Sequence, residues 1–152
     1  MNSIMKAWGT DRSKESDGIW VDVCVNDDDS VARIKVRRMG QSNEAFSKLY
    51  AKLGKKFRTM RGDKNKLKDK ALLEAFCETC IVGWEHIEDI NPKPATSAPN
   101  GATVPAPKYM PFNKENAIKL LTAVPDLADH LVNEATELQN FQSESNQELG
   151  KN

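Results

Sequence analysis

The spacing of apolar residues changes along the chain and divides it into a strand region and a helical region. Residues 19–25 and 31–39 alternate apolar with polar side chains on either side of a polar turn, Asn26–Ser30. A period of two is typical of half-buried strands, so the pattern predicts an antiparallel hairpin over residues 19–38. The strands are predicted to bury one face each, with Ile19, Val21, Val23 and Val25 on the first and Ala32, Ile34 and Val36 on the second. Because a lone hairpin is marginally stable, we expect it to pack on a helix or to pair with another strand edge.

Helical spacing begins after this hairpin. Apolar residues recur every three or four positions over residues 43–60, which predicts a helix capped by Ser42 or Asn43. A second helix is predicted over residues 65–87, where this periodicity is strongest. Its apolar stripe comprises Leu72, Leu73, Phe76, Cys77, Cys80, Ile81, Trp84 and Ile87. We expect this helix to form the centre of the core.

A proline-rich segment follows, with five of the seven prolines between residues 91 and 108. Such a composition predicts a semi-extended linker that buries nothing. Beyond it, two short amphipathic helices are predicted, with Asn113 as the first N-cap. Pro125 lacks an N–H and disfavours helix in Val124, so it ends the first helix and begins the second.

These elements predict an α+β fold, mostly helical, in three parts. Residues 1–90 form the body, residues 91–108 the linker, and residues 109–152 the helix pair with a polar tail. The linker allows the pair to fold back onto the body or to reach away, and its position beyond the linker favours a mobile, partner-facing pair. The residues predicted to bind a partner are Phe112, Leu120, Leu121, Leu127, Leu131, Leu138 and Phe141.

The net charge is zero, but the positive and negative charges lie in different parts of the chain. From Arg33 to Lys70 there are fourteen Lys or Arg and three acids, so this basic block carries +11 and the rest of the chain −11. We favour the interpretation that these cations form the solvated faces of the helices. Two alternatives are a nucleic-acid-binding or regulatory module, and pairing with the acidic part of another copy, which added salt would loosen.

Residues capable of chemistry are few. Cys77 and Cys80 have the spacing of half a zinc site, but both lie on the apolar stripe, so we interpret them as core residues. His86 and His130 are isolated, and the acidic turn at residues 27–29 lacks a calcium-loop pattern. We therefore expect no enzyme, cofactor or metal site. No apolar run is long enough to predict a membrane span, and unpaired cysteines are typical of a reducing cytoplasm.

One segment has a pattern more specific than amphipathicity. A Pro-Phe-x-x-Glu-Asn-Ala-x-x-Leu-Leu run precedes Pro-x-Leu and a helical stretch that ends in Phe. The residues are Pro111, Phe112, Glu115, Asn116, Ala117, Leu120, Leu121, Pro125, Asp126, Leu127 and Phe141. This segment resembles the tail assembly chaperones of long-tailed, siphovirus-like bacteriophages. The likeness extends more loosely upstream, to Gly18–Trp20, a basic second strand and Gly83-Trp84.

The resemblance implies a protein made in the host bacterial cytoplasm that binds the tape measure protein, keeps it soluble and promotes tail tube polymerisation before being lost from the virion. The implied partners are the tape measure protein, the major tail tube protein and further copies of the chain. A minor structural tail protein is the alternative within this context. Such chaperones are often made in two lengths by a −1 ribosomal frameshift. Gly150-Lys151-Asn152 is compatible with a slippery GGA AAA AAC, so a frameshift-extended form is a further expected partner.

Overall fold

The computed structural model describes residues 3–40, 42–92 and 94–143. The fold is α+β, as predicted, and about half of the chain is helical. In chain order the elements are α1 (Ser3–Trp8), α2 (Arg12–Asp17), β1 (Ile19–Val25), β2 (Val31–Val36), α3 (Glu44–Arg58), α4 (Lys64–Thr79), β3 (Ile81–Glu85), β4 (Thr96–Ser97), β5 (Thr103–Val104), α5 (Lys114–Ala123), α6 (Pro125–Thr136) and a short 3-10 helix (Leu138–Phe141).

The main sheet is antiparallel, with β2 between β1 and β3. As predicted, one face of β2 is buried, through Ala32, Ile34 and Val36. The expectation for the end of β1 is wrong. A bulge between Asp22 and Cys24 shifts the register, so Cys24 lies opposite Ala32 and Val25 remains 66% exposed. The extra residue disrupts the alternation, and both Cys24 and Val25 are exposed beyond it.

The helix predicted over residues 65–87 ends eight residues early. α4 stops at Thr79, and Ile81–Glu85 forms β3 instead. Ile81 and Val82 are β-branched and Gly83 is a poor helix former, so this stretch favours extended backbone. Pairing with β2 gives the marginal hairpin the third strand that it requires. Ile81 and Ile87 are buried beyond the end of α4 at positions that match its helical spacing, so the periodicity of the sequence extends past the helix.

The predicted helix starts are confirmed at two caps. The Asn43 side chain accepts a hydrogen bond from the Phe46 N–H at 3.1 Å, and Asn113 accepts from the Asn116 N–H at 2.8 Å. Pro125 is the first residue of α6, as predicted. Each cap satisfies an N–H that has no partner within its helix.

The C-terminal helix pair packs on the body. Leu120 and Leu121 of α5 and Leu131 of α6 belong to the same buried cluster as Ile34 of β2 and Phe76 of α4. One hydrophobic core therefore extends from the sheet through α4 to α5 and α6. The linker passes over the outside of this core: nearly all of its described residues are exposed, and β4 and β5 form a small hairpin within it.

Hydrogen bonds join the two ends of the described chain. The Asp11 N–H donates to the Phe141 carbonyl at 2.7 Å, and the Gln142 side chain donates to the carbonyls of Ala7 and Gly9. Phe141 and Gln142 are buried where they meet the N-terminal helices. The predicted polar tail beyond residue 143, including Gly150-Lys151-Asn152, lies outside the described residues.

The shared core predicts a large penalty for truncating the C-terminal pair. Leu131 is fully buried, so Leu131→Ala should lower the free energy of unfolding by about 2–5 kcal/mol. The control Asn133→Ala, at an exposed position on the same helix, should change it by less than about 0.5 kcal/mol. Urea unfolding followed by circular dichroism measures both. Equal stabilities of the two variants would mean that α6 is not part of the core.

Candidate partner-binding groove

An open apolar groove of about 630 Å³ lies between α4, α5 and α6. Its floor and walls are built from Leu72, Leu73, Phe76, Ile118, Leu121, Pro125, Ala128 and Val132. Charged side chains lie at the rim, with Asp69, Lys70 and Glu74 on α4 and Asp129 on α6. A concave apolar floor with a mixed polar rim is suited to a helix with one apolar face.

The groove exists because each of its C-terminal helices carries two adjacent apolar stripes. On α6, Leu131 and Ala135 are fully buried, whereas Ala128 and Val132 are only partly buried. On α5, Leu121 is buried and its neighbour Ile118 is half-buried. One stripe of each helix therefore packs on the body, and the second remains at the groove wall.

The seven predicted partner-binding residues lie mostly beneath this surface. Leu120, Leu121, Leu131 and Phe141 are buried within the chain, and Phe112, Leu127 and Leu138 are half-buried. Leu121 alone of the seven lines the groove. The wall residues that the prediction missed are Leu72, Leu73, Phe76, Ile118, Pro125, Ala128 and Val132. The available signal was the second stripe, in which Ala128 and Val132 are four residues apart.

Contacts with β3, through Trp84, and with α4, through Glu74 and Glu78, fix the start of α5. The Trp84 indole N–H donates to the Met110 carbonyl at 2.8 Å, and the Phe112 ring meets the Trp84 ring edge-on at 5.2 Å between centroids. Lys114 Nζ lies 2.8 Å from Glu78 and 3.8 Å from Glu74. The Glu78 hydrogen bond raises the pKa of Lys114, with the nearby Glu78 and Glu74 charges adding to the rise. These contacts hold one wall of the groove against another.

The hairpin turn holds the end of the linker, through a set of contacts that we call the Asp28 latch. Asp28 Oδ2 accepts from Lys108 Nζ at 2.6 Å and from the Tyr109 hydroxyl at 2.9 Å. Asp28 Oδ1 accepts from the Ser30 hydroxyl at 2.5 Å and from the Ser30 N–H at 3.0 Å. The Lys108 hydrogen bond, followed by those of Ser30 and Tyr109, holds the pKa of Asp28 well below its ordinary value. The latch fixes the chain a few residues before α5 begins.

Cys77 and Cys80 are free thiols within the core, as predicted. Cys77 is 1% exposed and Cys80 is fully buried. Desolvation raises the pKa of Cys77 to about 12 and that of Cys80 to about 11. Since the thiolate is the reactive form, both groups stay protonated and inert at neutral pH.

Other candidate chemistry is dispersed over the fold. His86 Nδ1 lies 3.1 Å from the Val31 carbonyl, and His130 is on the exposed side of α6. Within residues 3–40, 42–92 and 94–143, no group of three or more His, Cys, Asp or Glu is arranged to hold a metal ion. Over the same residues, no helix has the length and hydropathy needed to cross a membrane.

Comparison with known proteins identifies a protein family. The family model described as YdaY prophage protein matches residues 34–152, well over half of the chain. The matched region runs from within β2 onward and includes the three helices that form the groove. No curated protein and no solved structure matches the chain.

The Asp28 latch predicts a local effect of Asp28→Asn. An amide lacks the charge that holds Lys108, so the linker end should open, and trypsin should cut after Lys108 several-fold faster than in the parent chain. Mass spectrometry of timed digests measures this cleavage. Because the pKa of Asp28 is lowered, the latch of the parent chain should hold at neutral pH and weaken only as the pH falls below about 4.

The matched control is Asp27→Asn in the same turn, where the exposed side chain takes no part in the latch. It should leave the cleavage rate unchanged. Equal rates in the two variants would contradict the latch.

Proposed function

The chain belongs to the YdaY prophage protein family and is of phage origin, and from this premise we propose that it is a tail assembly chaperone. In this proposal it binds a helical segment of the tape measure protein and keeps that long protein soluble. It promotes polymerisation of the tail tube protein and is absent from the finished virion. A frameshift-extended form and self-association stay predictions of the family resemblance.

One observation carries the proposal. The segment whose sequence resembles the tail assembly chaperones, Pro111–Phe141, supplies α5 and α6, and these helices form two walls of the open apolar groove. Partner-binding surface is therefore available without detaching the pair from the core. This supports helix binding at Ile118, Ala128 and Val132 in place of the buried Leu120 and Leu131.

The chemistry required of such a chaperone is burial of apolar surface without strong sequence selectivity. A helix that enters the groove covers the half-buried side chains of three helices and removes its own stripe from water, at about 25 cal/mol per Å² of apolar area. Aliphatic walls accept many apolar side chains, because such contacts are non-directional. The rim carries one cation, Lys70, and three acids, Asp69, Glu74 and Asp129, so it disfavours strongly acidic helices but imposes no further sequence pattern.

Placing a charge in the groove tests the proposal. Val132→Asp should reduce the tape measure protein recovered with the tagged chain by about tenfold, because a carboxylate would be buried against the incoming helix. Ala128→Phe, which fills the groove without adding charge, should have a similar effect. The assay is co-expression with the tape measure protein of the same prophage, followed by pull-down and quantitative mass spectrometry.

The control for Val132→Asp is Asn133→Asp, which makes the same new carboxylate at the next, exposed position of α6. Thermal unfolding confirms that each variant is folded. Undiminished recovery with folded Val132→Asp and Ala128→Phe would remove the groove from the interface. Absence of binding by the parent chain would contradict the chaperone proposal itself.

A chaperone and a minor structural tail protein differ in whether the chain remains in the finished particle. The chain should be abundant in lysates of induced cells and undetectable in purified phage particles, because its partner helix is covered by tube subunits in the finished tail. Quantitative mass spectrometry of both fractions makes this comparison, with the tape measure protein as the internal standard. A fixed ratio of the chain to the tape measure protein in particles would support the structural alternative.

A further inference from the structure

A second, separate cleft of about 350 Å³ lies between α3 and α4 near the loop that joins them. Its floor is largely apolar and is formed by Tyr50, Ala51, Gly54, Phe57, Leu67 and Ala71. Its rim carries three cations, Arg58, Lys64 and Lys68. This basic cleft shares α4 with the first groove but none of its lining residues.

The cations of the basic cleft lack acidic partners. Between Lys48 and Lys70 there are ten Lys or Arg and two acids. The Asp63 side chain caps α4, and Asp69 lines the other groove. Among the described residues, no salt bridge reaches Arg58, Lys64 or Lys68, although Lys114, Arg33 and Lys108 elsewhere each pair with an acid. The rim thus presents uncompensated positive charge around an apolar floor.

Two further cations lie close to the Phe57 ring of the floor. Lys56 Nζ and Lys70 Nζ each lie 5.7 Å from the centroid of the Phe57 ring. Lys64 donates to the carbonyls of Arg58 and Met60, which fixes its ammonium at the cleft mouth. Their positive charge therefore adds to the field of the rim.

Gly54 makes the cleft deeper at a cost to the helix. It lies inside α3, where glycine is less favourable than alanine, and a Cβ built on it would meet no atom within 4 Å. Because this space is empty, packing within the chain does not require a residue as small as glycine at position 54. An external side chain entering the cleft is the group that would use this space.

We propose that the basic cleft binds an acidic amphipathic helix of another protein. The apolar side chains of that helix occupy the space beside Gly54 and Phe57, and its carboxylates face Arg58, Lys64 and Lys68. Charge complementarity selects an acidic partner, and the apolar floor selects a helix with an apolar stripe. This inference is independent of the chaperone proposal, because the two clefts share no lining residue.

Two other occupants fit the cleft less well. Nucleic acid would use the cations, since its affinity comes largely from phosphate contacts, but the two aromatic rings of the floor are poorly placed to stack on bases: Phe57 is buried and Tyr50 stacks on Phe46. A second copy would have to offer its acidic helix α6, which buries Leu131 and Ala135 on its own core and whose remaining apolar stripe, Ala128 and Val132, already lines the other groove. A separate acidic protein satisfies both features of the cleft.

The test uses a synthetic helical peptide with leucines on one face and glutamates on the other, a permuted peptide of the same composition, and a short DNA duplex. Fluorescence anisotropy should show binding of the amphipathic peptide to the full chain. Gly54→Leu, which fills the cleft, and Lys68→Glu, which reverses a rim charge, should each weaken it by about tenfold or more. Both variants should remain folded, because leucine favours helix over glycine and Lys68 is exposed.

Matched controls separate the cleft from general effects. Gly54→Ala raises helix propensity but adds only a methyl group, and Lys66→Glu makes the same charge change on an α4 residue outside the cleft. Both should bind the amphipathic peptide nearly as tightly as the parent chain, and so should Val132→Asp in the other groove.

Three outcomes would overturn the proposal. The first is equal binding of the permuted peptide, or no binding of the amphipathic one, which would remove the helix-docking role. The second is DNA binding that Gly54→Leu leaves intact and Lys68→Glu weakens, which would assign the cations to nucleic acid. The third is self-association of the parent chain in sedimentation velocity that is lost in Gly54→Leu. This result would make the occupant a second copy.

Discussion

Packing of the C-terminal helix pair against α4 and the sheet is the interaction on which the rest of the structure depends. A three-stranded sheet and two helices bury little apolar surface, and domains of this size are marginal unless the core is completed. Leu121, Leu131 and Ala135 complete it, next to Phe76. The linker is therefore a strap between two halves of one core, and the Asp28 latch and the Trp84 contacts fix the end of the strap where α5 begins.

Local chemistry made much of this fold predictable. The Asn43 and Asn113 caps, the Pro125 helix start and the hairpin turn depend on side chains that act on their own or neighbouring backbone, and all four are found where the sequence indicates them. β3 was not predictable in the same way. Its apolar residues continue the spacing of α4, and only pairing with β2 makes the extended form preferable. The β1 bulge likewise has no signal in a strict alternation.

The candidate site was less predictable, because an amphipathic stripe does not indicate what covers it. Leu120, Leu131 and Phe141 have the expected spacing for a partner surface, yet they are inside the chain. Their neighbours Ile118, Ala128 and Val132 line the groove and make each apolar arc wider than one contact surface needs. The open space beside Gly54 is also a tertiary property, since it depends on how far apart α3 and α4 lie.

Two clefts on one helix give the proposed activities different chemistry. The groove of α4, α5 and α6 has both signs of charge at its rim and suits helices of varied sequence, whereas the basic cleft selects acidic ones. α4 contributes a wall to each, so its rigidity serves both sites. A prophage protein that holds a long helical client and a second, acidic partner at once would need this kind of separation.

Hydrogen exchange measured by mass spectrometry, with and without bound tape measure protein, distinguishes a docked helix pair from a detached one. We expect residues 69–76 and 118–132 to gain protection on binding, and no part of α6 to lose it. Loss of protection across residues 111–141 on binding would mean that the helix pair leaves the core and presents its buried stripe. That result would contradict binding in a groove formed by the docked pair.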